Sequence, residues 1–389
     1  MLPAVTERHA TLTVWEDRFD WVPSEPIPYA DPHVPGAPVV TYAARSWESP
    51  VMHASFAARE LIPSWNARTP VGTWLIVEVR VASDRDSLAW TSWLTLARWA
   101  EGDPEGGAPI TRTTVPGQVL EVGRVATDCY RSSAPHSFDR WQVRVTGLQA
   151  PGADAWPEVM LVAGAALAFD VPADAPTSRP GLDRAVEIAV PPHSQRLHVG
   201  TFPEWDKGGQ SWCSPTATTM LLEHWGVAPT TAESEWVGHD VDPAVVHGVR
   251  RVYDPAFRGA GNWAFNTAYA ATRGLRAYVT RLRDLTEAER LVAGGLPLIV
   301  SVTFQRDELD GAGYDTNGHL LTIVGFTADG DVISNDPNSH TIASNEQVRT
   351  VYRRDQFERV WLGDDGGLAY VMAPAGGSGS ATPAEANWR

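Results

Sequence analysis

Cysteine is almost absent: Cys129 and Cys213 are the only two in 389 residues. Two thiols cannot build a zinc cluster, and they fall in halves of the chain that read as different domains, so no disulfide between them is expected. Lysine is scarcer still. Lys207 is the sole example, and arginine carries the remaining positive charge. Positive charge as a whole is in deficit, with 31 Lys+Arg against 47 Asp+Glu and a net charge of −16. A chain so acidic is repelled by phosphate backbones and anionic lipid, which excludes nucleic acid as an expected partner. No window approaches the length of apolar chain that spans a bilayer, so no membrane insertion is expected. The opening MLPAVTERHATLTVWEDRFDW places acidic residues early and has no apolar run of signal-peptide form. The compartment stays open between the cytoplasm and export by a segment not in this sequence. There is no glycine-rich phosphate loop of strand–loop–helix form and no paired-cysteine or HxxxH spacing, so neither cofactor nor metal is expected. A metal site from His319, Asp336 and His340 would lack a further ligand.

What is present is an ordinary folded composition, 43% hydrophobic and 20% charged, so disorder is expected only near the ends. The length exceeds what one core usually organises and implies two domains. Seventeen tryptophans are many for this length. Such rings either fill cores or line carbohydrate and peptide grooves. Core filling is the reading taken, and a glycan or cell-wall ligand of the N-terminal domain is the alternative.

The first half reads as strands: TWLIVEVRVA (73–82) alternates so that Leu75, Val77, Val79 and Val81 share one face, which predicts a strand with one side buried. SWLTLARWA (92–100), GQVLEVGRVA (117–126), RWQVRVTGL (140–148) and EVMLVAGAALAF (158–169) follow, separated by Gly, Pro and Asp. Strands without intervening helical periodicity predict an all-β sandwich over 1–172. The proline-rich text around DVPADAPTSRPGLD predicts a linker over 173–184. The second half, 185–375, mixes helical SPTATTMLLEHWG, GNWAFNTAYAATRGL (with Gly274 ending it) and TEAERLVAGG with later strands LPLIVSVTF, HLLTIVGF, DVISND and LAYVMA. That order is α+β. The low-complexity end, 376–389, reads as a disordered tail.

Chemistry concentrates around EWDKGGQSWCSPTATTMLLEHWG. Proline is tolerated in a first helical turn, which makes Ser214 the expected N-cap and gives Ala217, Met220, Leu221 and Leu222 an apolar stripe. Cys213 then sits at a helix N-terminus, where partial positive charge favours thiolate. Taken alone, a solitary cysteine reads first as a buried structural residue. A base elsewhere decides between the two. His319 opens the strand HLLTIVGF, and Asp336 ends the next strand in SNDP. Antiparallel pairing brings such ends together. A two-residue Asp329–Gly330 turn would leave Asp336 opposite Ile323, about 13 Å from His319 along the strand. A four-residue loop, Phe326–Asp329, would set His319 opposite Asp336, so the wider turn is expected if the set is functional.

With Gln210, Cys213, GHLLTIVGF and NDP in this order, the region from about 185 to 375 resembles the bacteriocin-leader-peptidase-like branch of the papain-like cysteine peptidases, known for cleaving after double-glycine leaders. The resemblance implies a papain-like fold, Cys213 as nucleophile, His319 as general base and then general acid, and Asp336 fixing the imidazole tautomer. It also implies an oxyanion hole from the Cys213 backbone N–H and a glutamine. The family's glutamine lies about six residues before its cysteine, where this chain has Lys207, so Gln210 is the candidate by a different loop path. The transporter and ATP-binding segments of the best-known members are absent, so leader processing coupled to export is not implied. The first half, with LIPSWNARTPVGTW, resembles the N-terminal domain found ahead of stand-alone members.

The leading function is a thiol hydrolase cleaving a peptide or amide through an acyl-enzyme. Two alternatives stay open: a non-catalytic glycan- or peptide-binding protein on a peptidase fold, and a thiol acyltransferase using the same residues.

Overall fold

The computed structural model describes residues 9–16, 18–168, 176–238, 241–363 and 366–375. The expected tail, 376–389, and the first three residues of the expected linker lie outside these. The chain divides into two compact β-rich units, one built from 11–168 together with Tyr253–Arg258, the other chiefly from the described residues that follow 168.

The first unit consists of strands in two antiparallel sheets. One contains Glu60–Arg68 beside Glu158–Ala168, and the other is centred on Phe138–Gln149 beside Thr73–Ala82. Side chains of the two sheets meet. Trp65 and Trp99, from opposite sheets, lie edge to face with centroids 6.0 Å apart, and a Cβ at Gly164 would collide with the Trp141 ring. The strand Thr73–Ala82 departs from the expected one-sided burial. Trp74 and Ile76, on its second face, are also buried, packed with Tyr42, Ala100, Ile110 and Leu148 in a separate cluster. Alternation identified the strand and missed that chain on the other side covers it. GQVLEVGRVA is not one strand but two, Val119–Leu120 and Gly123–Ala126, which pair with each other. The expected strand at 158–169 is observed as Glu158–Ala168. Val22–Tyr29, Val40–Glu48 and Met52–Ala58 are strands that the sequence reading left unassigned.

The second unit is an antiparallel sheet with helices against it. In spatial order six of its strands are Leu275–Arg281, Leu368–Pro374, Leu298–Phe304, Thr316–Phe326, Val332–Asn335 and Arg349–Tyr352, and the short Val186–Glu187 also pairs with Thr316–Phe326. The helix Cys213–His224 lies on the strand Thr316–Phe326, where the Thr322 hydroxyl reaches the Met220 sulfur at 3.8 Å. Met220, Leu221 and Leu222 are fully buried, each contributing roughly 1.5–3 kcal/mol by leaving water. The helix is nonetheless not the amphipathic one expected: every residue from Cys213 to Leu222 is buried, including Thr216, Thr218 and Thr219. A helix enclosed on all sides shows no stripe. Trp263–Thr272 ends as expected, with Gly274 in the left-handed region at φ +91°.

Part of the expected linker is firmly attached to this unit. The Ser178 N–H donates to Glu358, the Gly181 N–H to Glu289, and Arg354 donates to the Ser178 carbonyl. The cations and carboxylates that hold it are themselves buried.

Candidate active site

Cys213 is the first residue of its helix, and Trp212 is the N-cap without a side-chain hydrogen bond. Ser214 is therefore not the cap the sequence suggested. Its hydroxyl is instead 3.0 Å from that of Tyr370, deep in the sheet. A partner inside the core drew the serine away from the helix end. Pro215 falls in the first turn, where a missing N–H costs no intrahelical bond.

The chain entering Cys213 is bent by four consecutive left-handed residues, Asp206, Lys207, Gly208 and Gly209, with φ of 54°, 62°, 57° and 69°. The two glycines are required by close approach: a Cβ on Gly208 would strike the Thr201 carbonyl, and one on Gly209 the His198 carbonyl. The segment 195–201 thus lies directly against the loop before the cysteine. Gln195 uses this proximity. It is 2% exposed, its Nε2 donates to the Gln210 carbonyl at 2.9 Å, and its backbone N–H donates to the Pro337 carbonyl at 3.0 Å. One residue therefore joins the approach to Cys213 with the turn after Asp336. The Gln210 side chain itself is exposed, and its carbonyl is what the structure uses.

The hairpin carrying His319 and Asp336 follows neither expected register. Thr327 N–H donates to the Asp331 carbonyl, closing a three-residue turn at 328–330. Phe326 pairs with Val332 and Gly325 with Ile333, and a bulge at Val324 then advances the pairing so that Thr322 faces Asn335. By continuation Asp336 comes opposite Leu321, which leaves it diagonal to His319. Diagonal neighbours on one sheet face are within reach of longer side chains, and His319 Nε2 lies 2.8 Å from Asp336 Oδ1. Gly325 is needed at the bulge, because a Cβ there would collide with the Val186 carbonyl.

With Nε2 engaged by Asp336, Nδ1 is the other ring nitrogen, and the Cys213 side chain acts on the same imidazole. All three groups are buried, with exposures of 8% for Cys213, 4% for His319 and 0% for Asp336. Burial works against a charged imidazole, but the Asp336 carboxylate and the cysteine outweigh it and push the His319 pKa up to about 10. Asp336 is held below the usual carboxylate range despite burial, because His319, Tyr352 and Tyr314 all stabilise its anion. The geometry brings together Cys213, His319 and Asp336 as the sequence anticipated. It adds three side chains that reasoning from sequence did not single out: Gln195, Tyr314 and Tyr352. No linear signal marks them: each sits in a polar stretch, HSQRLH, GAGYDTN and RTVYRRD, with no fixed spacing to the cysteine. His340 is exposed and pairs with Ser339.

Such an arrangement can generate a nucleophilic sulfur beside a protonated imidazole, with backbone N–H groups at a helix start to receive developing negative charge.

Comparison with known proteins follows the same division of the chain. Residues 7–166 match the family model described as the peptidase C39 N-terminal domain. Residues 187–367 match the one described as the peptidase C39-like family. A crystal structure of a protein described as a C39-like peptidase from Bacillus anthracis is 18% identical, covers 50% of this chain and 99% of its own, and superposes with a TM-score of 0.30. No curated protein matches the chain. These two C39-related models, lying end to end across both halves, place this chain among the C39-like cysteine peptidases.

Proposed function

We propose that the chain is a thiol hydrolase that cleaves a peptide or related amide through an acyl-enzyme on Cys213. The observation that carries this is the buried His319–Asp336 pair, hydrogen-bonded at 2.8 Å, with Cys213 at its helix start acting on the same imidazole. In this reading His319 takes the thiol proton at Nδ1, and the sulfur adds to the scissile carbonyl. The imidazolium then gives its proton to the leaving amine as the C–N bond breaks. Water, deprotonated by His319, releases the acid and restores the thiol. Asp336 fixes the tautomer and compensates the imidazolium charge.

The oxyanion is assigned to the Cys213 backbone N–H and to Gln195 rather than Gln210. Gln195 Nε2 has two hydrogens, and the Gln210 carbonyl occupies one. Because that carbonyl can only accept, it fixes the facing end of the Gln195 amide as the nitrogen. We further propose domain limits close to 1–172 and 185–375, a β-sandwich for the first and a papain-like fold for the second.

The reading as a binding protein finds less support. In the first unit no tryptophan is exposed. Those nearest the surface are stacked on cations, as where Arg80 lies 4.8 Å from Trp90 and 4.4 Å from Trp93, or Arg45 lies 4.7 Å from both Trp21 and Trp156.

The test is mass spectrometry after rapid mixing with an activated ester such as p-nitrophenyl acetate. The expected result is a transient, hydroxylamine-sensitive acyl adduct on Cys213 that forms slowly in His319→Ala. An adduct on Cys129 alone, or equal rates in both proteins, overturns the proposal. Adding an amine separates hydrolysis from acyl transfer by the product formed.

A further inference from the structure

Asp336 is bonded from two sides. Oδ1 accepts His319 Nε2–H at 2.8 Å and the Asn338 N–H at 2.8 Å. Oδ2 accepts the phenol of Tyr314 at 2.7 Å and that of Tyr352 at 2.6 Å. Orienting an imidazole requires one oxygen only. The two phenols reach the other oxygen from separate elements, Tyr314 from the loop before the strand Thr316–Phe326 and Tyr352 from the end of the strand Arg349–Tyr352.

Each phenol is fixed by a further contact. The Tyr314 ring meets the His319 ring nearly at right angles, centroids 5.4 Å apart and planes at 79°, so one side chain touches both partners of the pair. Tyr352 is stacked on Phe357 at 5.9 Å, which ties it to the helix Arg354–Leu362. Without donors on Oδ2, a carboxylate at 0% exposure would favour taking up a proton and would be free to turn about its Cβ–Cγ bond.

We propose that Tyr314 and Tyr352 are positioning residues for the reaction: they clamp Asp336 Oδ2, keep the carboxylate ionised, and so hold His319 with Nδ1 aimed at Cys213. The inference rests on the reading of Cys213 as nucleophile. Burial and the charge of Asp336 hold both phenols protonated, as donors must be. The ionisable groups acting on Asp336 are His319 across the hairpin, Tyr314 from the preceding loop, Tyr352 from the neighbouring strand, and Cys213 by way of the His319 ring.

Tyr314→Phe, Tyr352→Phe and the double variant keep both rings and remove only the hydroxyls. Two measurements are made on each full-length protein: the pH dependence of Cys213-dependent p-nitrophenyl acetate turnover, and the ¹⁵N titration of the His319 ring, which senses protonation of its Asp336 partner. Losing a hydrogen bond to a charged group is expected to move the acid-side break upward by about one pH unit per hydroxyl, and further in the double variant. A slower rate with the break unmoved in both single variants overturns the clamp, because that is what loss of packing alone produces. If the wild-type protein shows no Cys213-dependent turnover, the nucleophile reading falls. The ring titration then still decides the clamp by the same criterion, and an unmoved break refutes it.

Discussion

Replacing Gln195 separates an oxyanion donor from a merely structural glutamine. The side chain is 2% exposed, so little solvent stands ready to take the place of its amide N–H. Removing one preorganised donor of this kind typically costs about 10²–10³-fold in the acylation rate, about 2.7–4 kcal/mol of barrier. Gln195→Ala also deletes the bond to the Gln210 carbonyl, a stability loss of about 1 kcal/mol that leaves most of the protein folded. The assay is stopped-flow acylation of Cys213 by p-nitrophenyl acetate, run beside alkylation of the same residue by iodoacetamide. Acylation passes through an oxyanion, whereas alkylation displaces iodide at a saturated carbon and forms none. Gln195→Ala is therefore expected to slow acylation by about 10²-fold or more and alkylation by no more than about threefold. Gln210→Ala, with its side chain already in solvent, should leave both rates near wild type. Equal slowing of acylation and alkylation in Gln195→Ala would refute the assignment, as would a loss in Gln210→Ala as large as in Gln195→Ala.

Gly209→Ala places a methyl against the His198 carbonyl at a residue with φ +69°; with strain of about 1–3 kcal/mol, acylation should fall at least tenfold, and wild-type activity in this variant would show that the loop path is not needed. Arg354→Ala leaves Glu289, 1% exposed and paired with Arg354 at 2.6 Å, as an uncompensated buried charge; the expected destabilisation is about 3–5 kcal/mol by urea titration, and a loss below about 1 kcal/mol would contradict it. His193 and His247 make stability depend on pH in opposite senses. Burial opposes charge on His193, but the carboxylates of Asp242 at 3.3 Å and Glu223 at 2.8 Å push its pKa up from 6.5 to about 9. Its contribution is therefore complete below 6.5 and is lost as pH rises through 9, at about 1.4 kcal/mol per pH unit. Burial lowers His247 from 6.5 to about 4, so its contribution is complete above 6.5 and is lost as pH falls toward 4. Urea titrations of wild type and His193→Asn between pH 6 and 9 should differ in slope by about one proton; parallel curves would refute this.

How much of this was legible in the chain varies with the physical origin of each feature. Strands with strong alternation, such as Thr73–Ala82, and helices with a clear start and glycine stop, such as Trp263–Thr272, are written in local sequence, because side-chain direction repeats with a fixed period. Val22–Tyr29, with its three prolines, gave no such signal and is a strand because Val40–Glu48 pairs with it. The Cys213 helix shows the opposite limit, since its enclosure on every side erases the periodicity that sequence reading relies on.

By itself the sequence determined which residue types could do the chemistry. It set a cysteine at a helix start, a histidine in one strand and an aspartate at the end of the next, and it pointed to two domains; the strand begins three residues before His319 and the next ends one before Asp336. Only the tertiary structure decided their register, because a bulge at Val324 depends on how closely the Val186 backbone can approach Gly325. Likewise only folding could bury Gln195 against the Gln210 carbonyl, or bring Tyr314 and Tyr352 onto Asp336. Hydrogen bonds and close contacts join residues far apart in the chain, and no local pattern records which of many polar side chains will be buried together.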